Sequence, residues 1–141
     1  ENTGLRINLQ TSINNNMFWE YVLPLDIHSG EFFLDVNVID DDNNNGILNR
    51  GESATINLSV LNTGSINLEN LEGSINYNGA SIDFSTGDLS WNNVAVGQNI
   101  NSNNINISVS PNTINGNIIS IPVSFTTSNG FSINNVFQLS K

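Results

Sequence analysis

Twelve consecutive residues, Asp41-Asp42-Asn43-Asn44-Asn45-Gly46-Ile47-Leu48-Asn49-Arg50-Gly51-Glu52, fit the pattern D-x-[DN]-x-[DN]-G-x5-E of a calcium-binding loop at every specified position. Ca²⁺ takes six to eight oxygen ligands, and a tight loop can aim alternate side chains at one centre. In that pattern Asp41, Asn43 and Asn45 give side-chain oxygens, and Ile47 gives its main-chain carbonyl. Asn49 acts through a water, and Glu52 closes the shell with both carboxylate oxygens. Gly46 permits the sharp turn. Leu48 is expected to point into the core and anchor the loop. Asparagine accounts for 29 of the 141 residues, so the Asn matches carry little weight and the signal rests on Asp41, Gly46 and Glu52 together. The bland alternative is a polar surface turn.

With only two or three carboxylates the expected affinity is that of extracellular calcium modules, about 10⁻⁴–10⁻³ M. Such a site fills where calcium is millimolar, which points to an extracellular or cell-surface location with Ca²⁺ as the one cofactor. Glu20, Glu31 and Asp35 are candidates for an additional ligand. Period-two stretches enter and leave the loop, at residues 32–38 and 53–61, so strands flank it and the expected role is a structural clip. A helix-opening switch would need helices to move.

Other reactive constellations are thin. His28 is the single histidine, and a triad built on it would need Ser29 and an acid such as Asp26 or Asp35. No G-x-S-x-G elbow is present, and the expectation is no catalytic residue and no enzyme activity. Asp83 with Asp88, and Glu69 with Glu72, are expected on loops and exposed strand faces. Trp19, Tyr21 and Trp91 could form a stacking surface for sugar rings, which makes a carbohydrate-binding module the alternative function. Trp91, next to Leu89, Val94 and Val96, is expected inside. The sequons at Asn57 and Asn106 fall within strand-like stretches and are given no role.

Composition narrows the partners. Thirteen acidic residues face three basic ones, a formal charge of −10, so nucleic acid and anionic membrane surfaces are excluded as partners. There is no cysteine, hence no disulfide, no thiolate metal site and no cysteine nucleophile. No apolar run approaches the roughly 18 residues of a membrane span. The chain opens at Glu1 without a signal segment, as a piece excised from a longer protein would.

Strict alternation, as in Ala54-Thr55-Ile56-Asn57-Leu58-Ser59-Val60, marks half-buried strands, and no stretch has a helical period. Alternation predicts about nine strands, near residues 5–10, 18–27, 32–38, 53–61, 68–77, 91–96, 105–110, 118–126 and 131–139. Asn129-Gly130 is expected as a two-residue hairpin turn joining the last two. Pro24 and Pro122 should lie on outer strands or at irregularities. Short strands with Gly/Asn turns favour a two-sheet antiparallel β-sandwich, with a small barrel as the alternative. Residues 1–30 are expected to add strands to a sandwich formed by residues 31–141.

The stretch 41–64, DDNNNGILNRGESATINLSVLNTG, resembles the D-x-N-x-N-G-x-L-x-x-G-E…N-T-G pattern of immunoglobulin-like accessory modules in secreted Bacteroidetes proteins, a group similar to CARDB adhesion modules. The closing Phe137-Gln138-Leu139 run is also similar. The motif spans about 24 residues. The resemblance implies an all-β, immunoglobulin-like antiparallel β-sandwich that is non-catalytic and sits beside a peptidase or other domain. Its implied partners are the neighbouring domain of the parent protein and a cell-surface protein or polysaccharide.

Overall fold

The computed structural model describes residues 4–13, 16–26, 30–114 and 116–140, with side chains for 30–114 and 116–139. All regular structure among them is β, in eleven strands, and no helix capable of crossing a membrane is present among the described residues.

β1 (Gly4–Ile13) and β2 (Asn16–Asp26) pair with each other as a two-stranded antiparallel sheet, with a bulge between Thr11 and Ser12. Pro24 lies opposite Arg6 on β2, a strand paired on one side only in its two-stranded sheet, as expected of a proline on an outer strand.

The remaining nine strands form two antiparallel sheets, the β-sandwich. One contains β3 (Phe32–Asp41), β4 (Ser53–Asn62), β9 (Ile105–Val109) and β6 (Ile82–Phe84) in that order, with β8 (Asn99–Asn101) also on β4. The other has the order β11 (Ser132–Ser140), β10 (Ile118–Thr126), β5 (Leu71–Ile75), β7 (Asp88–Trp91). Period two explains the packing. Ala54, Ile56, Leu58 and Val60 of β4 face Val123 and Phe125 of β10 and Phe137 and Leu139 of β11 within one buried cluster. Trp91 spans it: its ring stacks at 5.5 Å on Phe125, and its indole N–H crosses to the other sheet to donate to Leu58 C=O at 2.9 Å. Burying an indole satisfies the apolar requirement only because that N–H has a partner. Phe32 meets Phe125 edge-on at 4.8 Å.

Each of the nine expected stretches contains a strand or part of one. Two are trimmed: residues 68–77 yield β5 alone, and residues 91–96 contribute only the end of β7. Leu68 and Val94, both fully buried, instead form a single bridge. β6 and β8, three residues each, are too short to show a period. The Asn129-Gly130 turn is longer than expected. Gly130 N–H closes a four-residue turn on Thr127 C=O, and Thr127 N–H donates to Phe131 C=O, giving a three-residue loop with Gly130 at φ +87°. Pro122 also departs from expectation, since β10 is an interior strand. Asn76 N–H donates to Pro122 C=O, so the proline's own nitrogen faces β5 too, one step past the last β5 pair, Ile75 with Val123. The ladder stops where the proline has no hydrogen to give.

Candidate functional site

The loop 41–52 joins β3 to β4, and a β-bulge sets its geometry. Along β3 the inward residues are Phe32, Leu34, Val36 and Val38, an even-numbered set that would next bring Asp40 inside. The register slips between Val38 and Asp40, leaving Ile39 outside the ladder, so that Asp40 faces Thr55 and Asp41 faces Ala54. One extra residue exchanges the faces, and Asp41 is buried (6 % exposed) while Asp40 is exposed.

From Asp41 the chain builds an unbroken series of side-chain-to-backbone bonds. Asn45 N–H donates to Asp41 Oδ1 at 3.1 Å, and Gly46 N–H donates to Asp41 Oδ2 at 2.7 Å. Asn45 N–H also reaches Asn43 Oδ1 at 3.1 Å, and Ile47 N–H reaches Asn45 Oδ1 at 2.7 Å. Asn49 Nδ2 donates to Ile47 C=O and to Glu52 Oε2, both at 3.1 Å, and Asn49 N–H reaches the same Oε2 at 2.7 Å. Asp41, Asn43, Asn45, Ile47, Asn49 and Glu52 thus form one connected network, and Ile47 links its two halves. The Ile47 carbonyl and the Glu52 carboxylate converge on a single nitrogen. Asn44 at φ +56° and Gly46 at φ +73° supply the left-handed backbone that the winding needs.

The loop is anchored at three points. Leu48 is in the core, as expected of the loop's anchor, while Ile47 beside it is about half exposed. Asp42 N–H donates to Ser53 C=O at 3.2 Å and Ser53 N–H to Asp42 Oδ2 at 2.8 Å, closing the neck. Gly51 N–H donates to Val109 C=O and Val109 N–H to Glu52 C=O, tying the far side to β9. Sequence reasoning missed Asp42, Ser53 and Val109. Asp42 occupies an unspecified position of the pattern, and Val109 is distant in the chain.

Glu52 is as buried as Asp41, at 5 % exposed. Of the chain's three basic residues only Arg50 has a described side chain, and it is exposed. No ion pair with Asp41 or Glu52 forms among the described residues. Two buried carboxylates without a cation are expensive unless hydrogen bonds or a metal ion compensate them. Among the described residues no group of three His, Cys, Asp or Glu side chains gathers. The donor set is two carboxylates with amide and carbonyl oxygens, which suits a hard cation such as Ca²⁺ and not a thiolate or imidazole metal.

Of the candidates for an additional ligand, Glu31 and Asp35 do not come together with this loop. Glu31 C=O accepts from Thr63 and Gly64 N–H, at the end of the β3–β4 pair where Phe32 meets Asn62. That is the end opposite Asp41, roughly 30 Å away at about 3.4 Å per residue. Asp35 lies opposite Ser59, about 20 Å along the same strand. Glu20 and His28 lie outside the described side chains. Glu69, Glu72, Asp83 and Asp88 are exposed, as expected. A shallow depression of about 510 Å³ on the outer face of the β10-β5-β7 sheet is lined by Glu72, Asp88, Asn103 and several hydroxyls, with no histidine or cysteine to pair with a nucleophile. Trp91 is buried and unavailable for stacking, and Asn57 is buried too, which removes its sequon from the surface.

No family model matches the chain, and no curated protein does. Among solved structures it is similar to a FixG-related protein from Vibrio parahaemolyticus, at 18% identity and a TM-score of 0.38, covering 78% of this chain and 95% of that one.

Proposed function

We propose that this chain is a non-catalytic, calcium-stabilised accessory module of a secreted or cell-surface multidomain bacterial protein, serving spacing, stabilisation or adhesion. The observation that carries the reading is the connected network of six oxygen-bearing residues around two buried carboxylates that have no cationic partner among the described residues. Calcium bound there clips β3 to β4. The Leu48 anchor and the ties to Val109 hold the loop in place, so little ordering is left for the ion to impose.

The immunoglobulin-like part of the reading is supported by strand order. In the constant-type immunoglobulin sandwich, strands A-B-E-D face G-F-C. Taking β3, β4, β5, β10 and β11 as A, B, C, F and G, and β9 and β6 as E and D, both sheets follow that order. β7 is an extra edge strand beside β5, and it follows β6 in the chain instead of preceding it. The resemblance of residues 41–64 to CARDB-like modules points the same way and supplies the setting beside a peptidase domain. The partners are then the neighbouring domain and a surface protein or polysaccharide.

Thermal unfolding in 1 mM calcium against chelator tests the reading. A ligand bound only by the folded state adds RT ln(1 + [L]/Kd), about 1.4 kcal/mol for a Kd near 10⁻⁴ M, or several degrees in Tm. A rise that disappears in Asp41→Ala supports the clip. An unchanged Tm in the natural sequence removes calcium from the function.

A further inference from the structure

An open-ended sandwich presents unpaired strand edges, and an unpaired row of N–H and C=O groups is a template for another chain. The two sheets here have four edge strands, β3 and β6 in one, β11 and β7 in the other. On three of the four a side chain caps outward backbone groups.

On β3, Val36 lies opposite Leu58, whose own N–H and C=O face the other way, toward Ser102. Val36 N–H therefore points out of the sheet, and Asp35 Oδ1 accepts it at 2.9 Å. On β11, Val136 lies opposite Pro122, whose carbonyl is taken from the β5 side. Val136 N–H likewise points outward, and Asn135 Oδ1 accepts it at 2.8 Å. Each acceptor is the preceding residue, and each sits near the middle of its strand. On β7, Asn103 Oδ1 accepts Ser90 N–H at 2.8 Å while its Nδ2 donates to Asp88 C=O at 3.2 Å and its own main-chain N–H donates to Ser90 C=O at 3.3 Å, so the amide side chain and main chain of one residue take the place that a further strand would occupy. The fourth edge, β6, is only three residues long, and β3 is broken again by the bulge after Val38.

We propose that Asp35, Asn135 and Asn103 are edge guards: their side chains occupy outward backbone groups partway along each edge, Val36 N–H on β3, Val136 N–H on β11 and Ser90 N–H with Asp88 C=O on β7, and so prevent a second copy of this chain from adding a strand. This gives part of the asparagine content a physical role, since a carboxamide reproduces the donor and acceptor of the peptide group. It is independent of calcium, whose loop lies at the end of β3.

Sedimentation velocity over a range of concentrations, on the full chain, tests the proposal. The natural sequence is expected to remain monomeric, and Asp35→Ala/Asn135→Ala to shift to dimers and larger species as concentration rises. Asp35→Asn/Asn135→Asp keeps both accepting oxygens and should stay monomeric. Asn134→Ala, an exposed neighbour that caps nothing, should also stay monomeric. Near-ultraviolet circular dichroism of the buried Trp91 reports that each variant is folded. The proposal is overturned if the folded double alanine variant stays monomeric, if the natural sequence self-associates, or if Asn134→Ala associates as strongly as the double variant.

Discussion

The loop 41–52 and the turn 127–131 use the same vocabulary and reach different ends. Both combine asparagine with a left-handed glycine, Gly46 at φ +73° and Gly130 at φ +87°. In the turn, the Thr127 hydroxyl accepts Phe131 N–H and donates to Asn129, and the Asn129 amide donates to Asn67 C=O; all of it is neutral and Asn129 is exposed. In the loop, the acceptors at the two ends are carboxylates, both buried, and Leu48 pins the winding to the core. A polar turn needs only neutral partners, one of them the distant Asn67 carbonyl. A loop that buries charge requires a bulge to aim the first carboxylate and a neighbouring strand to hold the last.

Six substitutions would break or sharpen that contrast. Leu48→Ala should have the largest effect, about 2–5 kcal/mol in urea unfolding, because a buried Leu leaves a cavity. The turn has no equivalent anchor. Asp41→Ala strips the acceptor from Asn45 and Gly46 N–H and should cost about 1–3 kcal/mol in chelator and abolish the calcium response, whereas Asn129→Ala should cost less than about 0.5 kcal/mol and leave the response intact. Paired melts with and without calcium read both.

Gly46→Ala and Gly130→Ala should each cost about 1–2 kcal/mol, because a Cβ at either site meets nothing within 4 Å and the penalty is one of left-handed backbone alone. Only the first should also weaken calcium binding, measured by isothermal titration. Glu52→Gln keeps an oxygen for Asn49 and should change chelator-state stability by less than about 1 kcal/mol. It should still reduce calcium affinity at least tenfold. Equal affinity would show that Glu52 serves the fold and not an ion.

Much of this was legible in the chain, and the limits are physical. Alternation located each longer strand because a half-buried ladder forces period two, and the twelve-residue loop pattern placed Leu48 inside as the loop's anchor. Strands of three residues give no period, so β6 and β8 were invisible. The proline rule located Pro24 on an outer strand but misjudged Pro122, because an interior strand also has an open side where its neighbour ends. Glu31 was a candidate ligand by chain proximity. An extended β3 carries it to the far end of the sheet, since a strand converts each residue into more than 3 Å.

By itself the sequence determined the β class, the acidic surface, the absence of thiol chemistry and the twelve-residue spacing of oxygens, because these follow from residue type and short-range periodicity. The tertiary structure decided which carboxylate of Asp40 and Asp41 is buried, which N–H groups lie on open edges, and that Trp91 joins the two sheets. Each of these depends on register, and register is set by partners distant in the chain: a one-residue slip leaves composition and spacing unchanged while moving every later side chain to the opposite face.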